Sequence, residues 1–286
     1  MRARGTIGFG LARALDFQAS LGQMAELCEL LSKEVGAVFY PHHALTYREL
    51  ASGLERGELG LAWTPPVTAI EILDAKLASL LVTPVRRGST LYHSALLVRP
   101  GTATSLLELK GRRVAWVDRE SATGHLVPKM HLATMGHDAQ TFFSQEIFAG
   151  SHIGVVEALF TGRVDLCATF CKLDGGGKPV TGGWTDGDGR PIHPIEVIAS
   201  IGPVPNDAIM AASWLEPELR ARILRWFLDP PATRARKLLA DLVRAESCLA
   251  VTPSHYEPLR RLMQQSAARG VTPWRRTGTT IVPPRP

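Results

Sequence analysis

The feature that most constrains the fold of this 286-residue chain is a regular alternation of short apolar runs with amphipathic segments. Between residues 6 and 87 the runs TIGFGLA, GAVFYPH, LGLAWTPP and ASLLVTPVRR are typical of strands. The segments between them repeat apolar residues at spacings of three and four, as amphipathic helices do. Strand–helix–strand units favour a parallel sheet with right-handed crossovers. The sequence therefore predicts an α/β fold.

The alternation resumes after the strand LYHSALLV and stops near the strand VIASIGPVP, which leads into a mostly helical C-terminal part. These two strands predict two crossings between halves of the chain. We expect a discontinuous first lobe, residues 1–92 plus 204–286, and a second lobe, residues 93–203, joined as a hinged cleft. Ligands of open α/β sheets bind beyond the carboxyl ends of strands, so the site is expected there.

The segment AWVDRESATGHLVPKMHLAT, residues 115–134, carries the strongest functional signal. It is typical of a strand, a short polar turn and a helix, with Ser121, Thr123 and Gly124 where the helix begins. The first amides of a helix lack internal partners, and the helix dipole is positive there. Such a terminus binds phosphate, phosphonate or carboxylate groups. The alternative is that Ser121 or Thr123 only caps the helix.

A second turn of this kind lies in FAGSHIGVVEALFTG, where His152 follows Gly150 and Ser151 just before a predicted helix. An imidazole can donate a hydrogen bond to an oxyanion in its neutral or its protonated form. If the protonated form is the better donor, binding tightens as the pH falls from about 8 to 6. The alternative is a loop histidine whose ring is satisfied by backbone groups.

With Tyr92 and the strand VIASIGPVP, these pieces in this order resemble the phosphonate-binding proteins of ABC transporters. That family belongs to the type II periplasmic binding proteins and takes phosphate, phosphite and alkylphosphonates. The resemblance covers roughly residues 47–210 and implies a two-lobed, type II periplasmic-binding-protein-like α/β fold. It also implies a small anionic ligand and an ABC permease partner, while a signalling partner remains the alternative.

The resemblance also implies the ligand-binding residues. In the family, an S-T-S-G turn followed by Pro holds the ligand oxygens, the histidine of a G-S-H turn contacts the anion, and a Tyr precedes the crossover strand. The matching residues are Ser121, Ala122, Thr123, Gly124 and Pro128 for the first turn, Gly150, Ser151 and His152 for the second, and Tyr92 for the tyrosine. Ala122 removes one hydroxyl of the family pattern, and the segment 172–194 is longer and richer in glycine.

Three further candidates keep two interpretations each. Tyr92 contacts the ligand or is half-buried with its hydroxyl satisfied. Trp63 forms an apolar wall for an alkyl group of the ligand, or belongs to the core. Asp207 caps a helix predicted in the following AIMAAS segment, or accepts a proton from a protonated phosphonate oxygen. The run GGGKP at 175–179 lacks the Ser/Thr and the helix of a phosphate loop and is predicted to be a hairpin tip or a loop.

The chain lacks GxSxG, Walker A, HExxH and CxxC motifs, so the sequence predicts no catalytic residues, metal site or cofactor. The four cysteines are expected to be buried free thiols. The net charge is +5, but the basic residues are not interleaved with aromatic residues as in nucleic-acid-binding proteins. This pattern argues against nucleic-acid binding. No run of about 18 apolar residues predicts a membrane span. The N-terminus lacks the pattern of a secretory signal, which predicts the cytoplasm unless a leader was removed or the start is misassigned.

Two hypotheses follow. The first is a solute-binding protein or cytoplasmic sensor that closes on a phosphonate, phosphite or phosphate in the cleft. The alternative is a cytoplasmic enzyme on the same fold that acts on a small carboxylate or a phosphorylated metabolite. The missing leader favours the enzyme, and the two hydroxyl- and histidine-bearing turns favour the binding protein. An effector module of a regulator is a third interpretation, although no helix-turn-helix precedes it.

Overall fold

The computed structural model describes residues 6–12 and 17–274, so most of the proline-rich tail lies outside the described part. The helices and strands, numbered in chain order, are β1 (Thr6–Ala12), α1 (Phe17–Val35), β2 (Val38–Ala44), α2 (Tyr47–Glu55), β3 (Leu59–Thr64), α3 (Pro66–Asp74), β4 (Ala78–Val85), β5 (Leu91–Val98), β6 (Arg113–Trp116), α4 (Val127–Thr134), β7 (Gln145–Phe148), α5 (His152–Phe160), β8 (Leu166–Leu173), β9 (Pro179–Gly182), β10 (Glu196–Pro205), β11 (Ala208–Ala212), α6 (Pro217–Leu228), α7 (Thr233–Val243), β12 (Ser247–Ala250) and α8 (Glu257–Ala267). The predicted α/β class is confirmed.

The chain divides into two compact units. The first runs to Thr90 and resumes over Pro205–Tyr256, and the second comprises Leu91–Val204 together with the segment that begins at Glu257. The sequence prediction grouped all of 204–286 with the first lobe, whereas the structure places α8 in the second unit. The reason is packing: α8 lies on α4, and its apolar residues Leu259 and Met263 are buried.

The first unit holds a sheet with the strand order β12-β4-β11-β3-β1-β2. As predicted, β1 pairs in parallel with both β2 and β3. The helix predicted for the AIMAAS segment is wrong, because Ala208–Ala212 form β11, antiparallel between β3 and β4. All five residues of β11 are buried. A short run that is apolar on every side suits a central strand as well as a buried helix, and periodicity alone does not separate the two.

The second unit holds a sheet with the order β10-β5-β8-β6-β7, and β9 pairs with β8 beside that path. Here β6 is parallel to β7 on one side and to β8 on the other. Val155 and Leu159 of α5 are buried in a cluster with apolar side chains of the sheet, including Ala95 and Cys167. The carboxyl ends of β6, β7 and β8 therefore lie at one edge of the sheet, which is where the two predicted anion turns begin.

The predicted cysteine state is confirmed: Cys28, Cys167, Cys171 and Cys248 are free and buried. Burial raises the pKa of each thiol above its ordinary value, because the thiolate is disfavoured away from water. Across 6–12 and 17–274, no helix has the length and apolar character that a membrane crossing requires.

Candidate functional site

The two predicted turns lie side by side in the second unit. Residues Trp116 and Phe148, at the ends of β6 and β7, are paired in register. The turn after β6 leads to Ser121, and the turn after β7 leads to His152. The backbone amide of Gly150 donates to the carbonyl of Val117 over 2.8 Å, which joins the two turns directly. Residues about 30 positions apart in sequence are thus held at one edge of the sheet.

Ser121 begins the helix that follows β6. Its Oγ accepts from the amide of Gly124 at 3.1 Å, so the capping interpretation of Ser121 is confirmed. The helix opens with one π-helical turn, Ala122–Leu126, before α4. A side chain at Gly124 would place its Cβ 2.7 Å from Cβ of Val117, which is why only glycine fits here. Capping leaves the hydroxyl proton of Ser121 able to donate to a ligand.

Thr123 is held from the neighbouring strand. It is 2% exposed, and its carbonyl accepts from Ser94 Oγ of β5 at 2.6 Å. Ser94 is itself completely buried, so this bond fixes the turn where water cannot compete. Ser94 was not predicted as a site residue, and its signal in the sequence is a polar residue within an apolar strand. Tyr92 lies two residues earlier on β5, on the same face as Ser94, and is half-buried.

His152 is the first residue of α5, and Ser151 caps that helix by accepting from the amide of Gly154 at 2.9 Å. The imidazole Nδ1 lies 2.8 Å from Oγ1 of Thr169, and the ring packs edge-on against Phe170. The alternative interpretation had backbone groups satisfy this ring, whereas the contact that Nδ1 makes is with a side-chain hydroxyl.

Burial lowers the pKa of His152 to about 4, and the nearby negative charge of Asp118 opposes the shift only in part. The imidazole is consequently neutral at physiological pH. A charged donor that strengthens binding between pH 8 and 6, as the sequence allowed, does not fit this environment. A hydrogen bond that His152 donates near neutral pH therefore comes from the uncharged ring.

The glycine-rich segment 172–194 approaches this histidine at Gly183. β9 pairs antiparallel with β8, and the GGGKP run forms the predicted hairpin tip, where the Asp174 carboxylate accepts from the amides of Gly176 and Lys178. The chain then places Gly183 against Thr169. A Cβ at Gly183 would overlap the Thr169 hydroxyl and lie 3.1 Å from Cβ of His152. The hairpin is thus part of the wall of the site.

A partly buried ion pair joins α4, the helix that follows the first turn, to the edge strand β7. Lys129 of α4, 8% exposed, contacts the carboxylate of Glu146 on β7 at 2.7 and 2.8 Å. His125, in the π-helical turn, bonds through Nδ1 to the carbonyl of Arg119 at 3.0 Å, and its pKa is lowered to about 4, chiefly by burial. These contacts link the helix, the turn and the edge strand, and the sequence analysis identified none of them.

Trp63 and Asp207 belong to the first unit. Trp63 is half-buried near the end of β3. Asp207 precedes a strand, so it has no helix to cap, and the capping prediction is wrong. Its carboxylate forms an ion pair with Arg86 at 2.7 Å, and its carbonyl accepts from the Thr83 hydroxyl at 2.8 Å. Ligand contact by either residue stays a prediction.

Comparison with known proteins gives a family match over most of the chain. The model of the family described as ABC transporter, phosphonate, periplasmic substrate-binding protein matches residues 9–256. XAC2383 from Xanthomonas citri, solved bound to chloride, has a TM-score of 0.73 at 18% identity, covering 93% of this chain and 98% of that one. The same protein has also been solved bound to ATP.

Two further solved structures are similar. A binding protein component of an ABC phosphonate transporter from Pseudomonas aeruginosa has a TM-score of 0.68 at 19% identity, covering 98% of this chain and 91% of that one. PhnD1 from Prochlorococcus marinus, in complex with methylphosphonate, has a TM-score of 0.67 at 17% identity, covering 92% and 98%. At these identities the likeness establishes the shared fold.

Proposed function

Since this chain belongs to the family of periplasmic substrate-binding proteins of phosphonate ABC transporters, we propose that it binds a small phosphorus oxyanion: a phosphonate, phosphite or phosphate. It acts in this proposal as a solute-binding protein that delivers its ligand to an ABC permease, and not as an enzyme. The family description places such proteins in the periplasm.

One observation carries the proposal. Two serine-capped helix starts follow adjacent parallel strands and are joined by the bond between Gly150 and Val117. Each start offers unpaired backbone amides and the positive end of a helix dipole. Ser121, Thr123 and His152 add hydroxyl and imidazole donors at the same edge of the sheet.

The arrangement favours a tetrahedral oxyanion over a carboxylate. A phosphonate has three terminal oxygens that accept from three directions, whereas a carboxylate has two oxygens in one plane. The donors of the turn after β6 and those of the turn after β7 come from two separate chain segments. They therefore suit a phosphonate better than a carboxylate. Among the solved structures of this fold, one holds methylphosphonate and one holds ATP, both of which carry phosphorus oxyanions.

The remaining predicted ligand residues enter the proposal with narrower roles. Ala122 and Gly124 contribute backbone to the first turn, and Tyr92 contributes its hydroxyl. Trp63 and Asp207 lie in the first unit, where Asp207 is paired with Arg86, and ligand contact by these two residues stays a prediction from the sequence.

Isothermal titration calorimetry tests the proposal, with inorganic phosphate, phosphite and methylphosphonate as ligands and sulfate, acetate and succinate as controls. We expect saturable heat with at least one phosphorus oxyanion and weaker binding of all controls. Binding of a carboxylate without any phosphorus oxyanion would instead favour the enzyme hypothesis. Fractionation of cells that express the native gene decides between the periplasm and the cytoplasm predicted from the N-terminal sequence.

A further inference from the structure

His152 has two ring nitrogens, and its role in the proposed function requires a proton on the one that faces the ligand. Nδ1 is occupied by the contact with Thr169 Oγ1 at 2.8 Å. In a neutral imidazole one ring nitrogen carries the proton and donates, and the other accepts. The hydrogen bond made by one nitrogen decides which of the two carries the proton. The partner of Nδ1 therefore controls the chemistry of Nε2.

We propose that Thr169 is a positioning residue for the anion site: its hydroxyl donates to Nδ1 of His152 and so keeps the proton on Nε2, which donates to the bound oxyanion. The inference rests on the proposed function. With the opposite arrangement, Nδ1 would donate to Thr169, and Nε2 would present a lone pair to an anion that is rich in lone pairs. That arrangement is repulsive, so only one direction of the bond is compatible with binding.

The surroundings hold this geometry. Thr169 lies in the middle of β8 and is completely buried, so water does not compete for its hydroxyl. The ring of His152 packs edge-on against Phe170, with 4.9 Å between ring centres. Gly183 lies so close to Thr169 and His152 that no side chain fits at this position. Rotation of the imidazole by 180° would place a carbon against the Thr169 hydroxyl and forfeit the bond.

The first test reads the tautomer in the ligand-free, full-length protein. Two-dimensional ¹H–¹⁵N NMR of ¹⁵N-histidine-labelled protein, with His152→Gln to assign the signal, distinguishes protonated from unprotonated ring nitrogens. We expect Nε2 protonated and Nδ1 unprotonated at pH 7. A proton on Nδ1 of the wild-type protein overturns the inference, whatever the ligand proves to be.

Removal of the hydroxyl forms the second test. Thr169→Val keeps the shape of the side chain, and we expect it to give a mixture of tautomers and about a tenfold weaker binding of methylphosphonate or phosphate, the loss of one hydrogen bond. Thr169→Ser returns the hydroxyl and should rescue the wild-type tautomer signal and most of the affinity. Thr181→Val, on the paired strand β9, controls for the loss of a strand threonine. Unchanged tautomer and affinity in Thr169→Val contradict the inference.

A matched pair at the histidine separates the two nitrogens independently of Thr169. Gln places an amide donor near the position of Nε2, and Asn places one near Nδ1. His152→Gln should therefore retain more affinity than His152→Asn, and the reverse order refutes the assignment. If wild-type protein binds none of the phosphorus oxyanions, the proposed function fails, while the tautomer measurement still decides how Thr169 and His152 interact.

Discussion

Two histidines of the second unit, the buried His125 and the half-buried His152, make the stability of this protein sensitive to mild acid. The pKa of His152 and that of His125 are each lowered from 6.5 to about 4, mainly by burial. As the pH falls, the unfolded chain takes up these protons first, near pH 6.5, and the folded chain resists. Each group therefore stabilises the fold fully above about pH 6.5, and this contribution declines as the pH falls towards 4.

The size of the effect follows from the two pKa values. Between pH 7 and pH 4.5 each histidine should lower the free energy of unfolding by about 2–3 kcal/mol. The conversion is about 1.36 kcal/mol for a difference of one between the pKa values of the folded and unfolded chain. Urea unfolding followed by circular dichroism at pH 7, 6, 5 and 4.5 measures the change. Arg113 lowers the pKa of the Asp165 carboxylate to about 2. The stability that this carboxylate contributes is therefore lost only at a pH below the range of this experiment.

Variants separate the histidines from other titrating groups. His152→Gln and His125→Gln should each flatten the pH dependence by about 2–3 kcal/mol, and the double variant should flatten it by roughly the sum. A pH profile of His152→Gln that runs parallel to the wild-type profile would show that His152 does not cause the acid sensitivity. Because neutral His152 does not titrate between pH 8 and 6, the ratio of ligand dissociation constants for wild type and His152→Gln should also stay constant there.

Three further predictions concern the framework of the site. Gly183→Ala should displace the Thr169–His152 contact and weaken oxyanion binding by at least tenfold in calorimetry, whereas Gly175→Ala, where a Cβ meets open space, should bind like wild type. Thr123→Ala should weaken binding by about 1–3 kcal/mol if its hydroxyl meets a charged oxygen, and wild-type affinity would leave it a purely structural role. Lys129→Met, which leaves the partly buried Glu146 carboxylate without its cation, should lower the free energy of unfolding by about 1–2 kcal/mol in urea titrations, and Glu146→Gln in the same background should restore part of it.

Local patterns were sufficient to predict most of the elements. The run TIGFGLA coincides with β1, and the segment between the runs GAVFYPH and LGLAWTPP forms the helix α2, as its apolar spacing predicts. Alternating apolar runs and amphipathic segments are short-range signals, and the turn chemistry of Ser121 and Ser151 is equally local. Both capping bonds span three residues, a distance that sequence spacing represents directly.

The contacts that complete the site are long-range and were not predictable in this way. The Ser94–Thr123 bond spans 29 residues and the His152–Thr169 contact spans 17, and both depend on which strands become neighbours. The β11 strand was missed for a related reason: only its insertion between β3 and β4 decides that it is extended. The environment that keeps His152 neutral likewise depends on packing from the β8–β9 hairpin.

The position of α8 has a consequence for biosynthesis. Because α8 packs on α4, and its Ser266 hydroxyl is buried and bonds to the carbonyl of Val271, the helix that carries the first turn gains its last cover from the C-terminal segment. On the ribosome, the sheet of the second unit is translated well before α8 emerges, and the described residues of the first unit end at Tyr256. A chain that ends at a stop codon near residue 256 would therefore lack α8 and leave the α4 surface, in the unit that carries the anion turns, exposed to solvent.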